Sequence, residues 1–116
     1  MKDFLNYAVR IGEQMLLSGA EVHRVEDCLE RICRARGAVR TDAFIITSSM
    51  VISVTDRDGV IHTQTRRIRA LGTNYTRLDA LNALCRRICA ENLTNGEIDS
   101  ELAKIGALPE YPAVVN

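Results

Sequence analysis

No run of about 18 consecutive apolar residues occurs in this chain, so these residues contain no candidate membrane-spanning helix. Net charge is missing too: 15 Lys and Arg stand against 15 Asp and Glu, which argues against a nucleic-acid module held by phosphate neutralisation. No secretory signal opens the sequence, because Lys2 leads into an amphipathic pattern instead of an apolar stretch. The C-x-x-C spacing of zinc ribbons and thioredoxin motifs is absent. Cys28 and Cys33 lie five apart and Cys85 and Cys89 four apart, all in helical patterns. Free thiols in a reducing compartment are therefore expected, with Cys33, Cys85 and Cys89 on apolar faces and no metal bound. Internal repeats and low-complexity segments are also lacking.

What is present describes one globular domain. At 116 residues, 47% apolar and 26% charged, the chain is long enough to bury a real core and too short for two. Of its 15 basic residues 13 are Arg, which leaves carboxylate or phosphate recognition open. The longest apolar stretch, Ala43 to Val54, is rich in β-branched residues and broken by Thr47, Ser48 and Ser49. It reads as two antiparallel strands joined at Ser48-Ser49, or as one long strand with a bulge there. Ala43 to Ile46 is apolar on both faces, as in a strand covered on both sides. In the second half Met50, Ile52 and Val54 alternate with Val51, Ser53 and Thr55. Asp56-Arg57-Asp58-Gly59 is a hairpin turn, and Val60 to Arg67 a third strand whose basic tail suits an edge.

Helical spacing covers the rest. Residues 2 to 17 carry a stripe of Phe4, Leu5, Ala8, Ile11, Gly12, Met15 and Leu16, ended at Gly19. Ser18-x-x-Glu21 has capping-box form, and a second helix runs from Ala20 to Arg36 with Val22, Val25, Leu29, Ile32 and Cys33 inward. Asp27 with Arg31 and Glu30 with Arg34 are i,i+4 pairs on its solvated face. A third helix spans Tyr75 to Asn92, and a shorter one follows the Thr94-x-x-Glu97 box. Pro109 and Pro112 mark an extended terminal segment. The order ααβββαα predicts an α+β fold, a three-stranded antiparallel meander covered by two N-terminal and two C-terminal helices. The domain is expected over 1–108 and a linker over 109–116.

Candidate functional residues are few. Glu21, Arg24 and Glu26 crowd the start of the second helix, and Arg66 and Arg67 end the third strand. These five are expected to form one charged cluster, with Ser48 and Ser49 as hydroxyl donors and the Arg forks as carboxylate ligands. The bland alternative pairs Arg66 and Arg67 with Glu21 or Glu26 and fixes sheet to helix. A hydrolase reading would use Ser48 or Ser49 with His23 or His62, but no G-x-S-x-G elbow frames either serine. No catalytic residue, metal ligand or cofactor is assigned. A stand-alone small-molecule-binding module is the remaining alternative.

Several blocks occur in a telling order: Ile11-Gly12-Glu13-Gln14-Met15-Leu16, Ser18-Gly19-Ala20-Glu21-Val22-His23-Arg24-Val25-Glu26-Asp27, Ile46-Thr47-Ser48-Ser49, Thr65-Arg66-Arg67-Ile68 and Tyr111-Pro112. Together they resemble the amino-terminal soluble domain of the threonine/serine exporter family of bacterial inner-membrane proteins. The resemblance covers nearly the whole chain. It implies a domain facing the cytoplasm that gates, senses or assembles an exporter of threonine and serine, or of dicarboxylates such as succinate. The implied partners are the transmembrane part of the same protein, a second small membrane subunit in some relatives, and other copies of the chain. Ala113-Val114-Val115-Asn116 falls where the membrane part of a relative begins.

Overall fold

Helix α1 (Lys2–Leu17) is buried over more than one stripe, since Val9 is as inaccessible as Leu5, Ala8 and Ile11. The computed structural model, which describes residues 1–46, 48–68 and 74–108, gives the reason. After α1 come α2 (Val22–Ala35), strands β1 (Arg40–Ile46), β2 (Ser49–Thr55) and β3 (Ile61–Arg67), then α3 (Tyr75–Ala90) and α4 (Asn95–Gly106). The fold is α+β in the order ααβββαα. The sheet is antiparallel in the order β1-β2-β3. Helix α1 packs over β3 and α2 over β1, while α3 and α4 pack chiefly on the helices and not on the sheet. Of the four helices expected to cover the sheet, two do so; the C-terminal pair adds a further layer.

Register places Met50, Ile52 and Val54 of β2 fully inside, against the helices. Gly12 allows this contact. A Cβ built there would lie 2.9 Å from the Met50 sulfur and 3.2 Å from a Leu29 methyl, so α1 approaches both through a gap in its own side chains.

The other face of the sheet is bare. Phe44, Val51 and Thr65 stand in one cross-strand row, and Ile46, Ser49 and Arg67 in the next. Phe44 is 52% exposed and Ile46 67%. The apolar run Ala43 to Ile46 is thus covered on one side only, against the expectation from its composition. Ile46 pairs with Ser49, so Ser49 belongs to β2 and only Ser48 of the expected Ser48-Ser49 pair lies in the turn.

Turns follow local chemistry. Gly19, Gly37 and Gly59 all take positive φ, at 98°, 101° and 84°. The β2–β3 turn is latched by Asp56, whose Oδ1 accepts from the backbone N–H of Asp58 and Val60. Thr94 and Glu97 form the expected reciprocal capping box of α4. The box expected at Ser18 does not form: Glu21 is the N-cap of α2 and makes no side-chain cap bond. Ser18 instead ends α1, buried, with its carbonyl accepting from Asn74 N–H at 3.0 Å. The linker expected over 109–116 lies outside the described residues.

Candidate functional site

Two helix faces meet beside the sheet. On α2, Arg24, Cys28, Arg31 and Ala35 recur at i, i+4, i+7 and i+11, which places them on one stripe. On α3, Asn82, Cys85, Arg86 and Cys89 do the same at i, i+3, i+4 and i+7. Between the stripes lies a groove of about 870 Å³, edged also by Asp27 and Arg34. Four guanidinium groups therefore surround it against the single carboxylate of Asp27. Arg31 pairs with Asp27 at 3.1 Å and Arg34 with Glu30, both i,i+4 pairs on α2. Arg24 and Arg86 are exposed and make no ion pair among the described residues.

A disulfide closes the middle of the groove. Cys28 and Cys85 join α2 to α3, their Cα atoms 6.7 Å apart. This corrects the expectation of four free thiols. Spacing within one helix cannot show a partner 57 residues away on another. Of the remaining two, Cys33 is buried, and burial pushes its thiol up to about 12. Cys89, also expected inside, is exposed at the groove's edge.

The residues expected to form one cluster are dispersed over the molecule. Arg24 lines the groove. Glu21 is exposed at the start of α2. Glu26 turns the other way, its Oε2 accepting from Ile45 N–H at 3.1 Å and its Oε1 lying 3.8 Å from His23 Nδ1. That bond satisfies a backbone donor of edge strand β1 and ties it to α2. Arg66 binds Glu13 of α1 at 2.7 Å, so its partner is neither Glu21 nor Glu26. Arg67 is exposed on the bare face beside its cross-strand neighbour Ser49. Ser48 occupies the turn, its carbonyl accepting from Ile68 N–H at 2.7 Å. Sequence reading missed Arg86. Its signal is the spacing of Asn82, Cys85, Arg86 and Cys89 on one stripe of α3.

Ser49 and His62 are far apart on the sheet. His62 stands opposite Val54, five residues along β2 from Ser49, or roughly 16 Å at the rise of a strand. Its Nε2 is engaged with Asp56 Oδ2 at 3.0 Å. His23 projects from α2 with a side chain 95% exposed. No group of three or more potential metal ligands is gathered among the described residues.

Compared with known protein families, residues 6–116 match the family described as "Putative threonine/serine exporter". The chain belongs to the threonine/serine exporter family. Curated proteins and solved structures gave no match. Membership supports a transport-related role. Among the described residues of this exporter-family chain, no helix is long and apolar enough to cross a membrane.

Proposed function

We propose that this chain is an accessory domain of a bacterial inner-membrane exporter of threonine and serine or of dicarboxylates. It faces the cytoplasm and docks on the exporter's membrane part through the bare sheet face. The observation that carries this reading is the outward set Phe44, Val51 and Ile46, in two adjacent cross-strand rows of a sheet whose other side alone is packed. Contiguous apolar surface of this kind, rimmed here by Ser49, Thr65 and Arg67, marks an interaction site. Export needs a spanning segment, and the membrane part supplies both that segment and an apolar surface to meet the patch. The domain then gates or assembles the exporter, which requires it to bind two states of the membrane part unequally. A hydrolytic role has no support from the separation of Ser49 and His62.

The test is labelled amino-acid or dicarboxylate efflux by the intact exporter carrying Phe44→Ser with Ile46→Ser. Efflux is expected to fall severalfold while the melting of the 116-residue chain alone stays within about 1 kcal/mol, because both side chains are largely exposed already. Unchanged efflux overturns the docking reading. Hydrolysis of an ester and peptide panel that disappears in Ser48→Ala or Ser49→Ala would return the catalytic alternative.

A further inference from the structure

The groove between α2 and α3 has no part in the docking just proposed, which concerns the sheet. Its volume of about 870 Å³ falls in the range of small-molecule sites. Four like charges around one hollow repel one another, and an anion seated among them removes that repulsion. Arg24 and Arg86 face it from opposite helices without an ion pair among the described residues. The pairs that hold Arg31 and Arg34 are exposed i,i+4 pairs, weak enough for both groups to be shared with an incoming ligand.

We propose that this groove binds a small organic anion carrying two or more carboxylate or phosphate groups, and that this ligand is an effector and not an exported amino acid. The demand for more than one anionic group follows from spacing. Arg24 and Arg31 are seven residues apart on α2, a rise of roughly 10 Å, and Arg86 stands on the facing helix, so a single carboxylate satisfies one fork and leaves the others. Ile32, Ala35 and the disulfide offer apolar contact for the ligand's carbon framework. Threonine and serine fit poorly. Each brings one carboxylate together with an ammonium, which four arginines against one aspartate repel.

Titration calorimetry on the 116-residue chain with succinate, citrate, pyrophosphate and ATP tests this, with threonine and serine as competitors. At least one of the four polyanions is expected to bind, more weakly as salt rises. Comparing the carboxylate and phosphate probes identifies the head group. Arg24→Gln with Arg86→Gln should weaken binding at least about tenfold. Arg86→Lys, which keeps the charge and loses the fork, should fall between. Arg40→Gln, on the sheet and paired with Asp42, should leave binding unchanged. Both groove arginines are exposed, so coincident melts of the variants and the parent chain are expected alongside. Failure of all four probes, binding indifferent to the double substitution, or displacement by threonine or serine would each overturn the proposal.

Discussion

Asp56 shows how much one side chain can organise. One carboxylate oxygen closes the β2–β3 turn on the N–H groups of Asp58 and Val60, while the other meets His62 Nε2 at 3.0 Å. The His62 bond first, then the bond from Val60, holds the carboxyl below the ordinary carboxylate value. A folded-state pKa below the unfolded one means stability that is complete above the unfolded value. It is lost as pH falls through the folded value. Acid unfolding followed by circular dichroism should therefore be steeper in the parent chain than in Asp56→Asn. Equal slopes would place the acid sensitivity elsewhere, for example at Glu97, whose carboxyl is also lowered, first by the Thr94 backbone N–H.

Among the elements, α1 approaches β2 and α2 most closely at Gly12, where there is no room for a large side chain. Gly12→Leu should cost roughly 1–3 kcal/mol or more, because the added atoms meet Met50 and Leu29 inside a filled core. Gly12→Ala should be nearly neutral. The single Cβ displaces a flexible thioether while the helix gains about 1 kcal/mol in propensity. Denaturant melts of the two variants separate these outcomes. Sequence made much of this element level legible: the ends of α1, the inward set Met50, Ile52 and Val54, the Thr94 box and the Asp56–Gly59 turn all rest on periodicity or local hydrogen bonding. Features set by what lies opposite were not legible. Whether Ala43 to Ile46 is covered twice depends on where the C-terminal helices settle, and they settle on α1 and α2. The Ser18 box failed because the hydroxyl it needed belongs to a residue already committed to the end of α1 and buried against Asn74. Likewise Arg24 lines the groove, but its company on α3 required the helix pairing: of the charges it was grouped with, Arg66 pairs with α1, Glu26 bonds β1, Arg67 lies on the bare face and Glu21 is exposed at the start of α2.

Across the whole molecule, the disulfide is the covalent constraint, joining residues 57 apart in sequence. Closing a loop of 57 residues contributes about 4 kcal/mol on the chain-entropy account, and about 2 if the unfolded chain is compact. Reduction should then lower the melting temperature by roughly 10–20 °C, measured calorimetrically with and without dithiothreitol. A shift of only a degree or two would show that α2 and α3 are held almost wholly by their apolar contacts. The same experiment reports on the groove, whose two walls the bond joins.

The bridge from Cys28 to Cys85 also changes what kind of object the chain is. All three strands lie inside the covalent ring, with α1 on one tail and α4 on the other. The molecule is a lasso whose knot is the helical layer and whose noose is the sheet. A protease cutting after Arg57, in the exposed tip of the β2–β3 hairpin, opens the noose without releasing a fragment. The nicked protein, heavier by one water, stays one covalent molecule until a reductant is added and then separates into two pieces, so a cut at the hairpin stays hidden on a non-reducing gel.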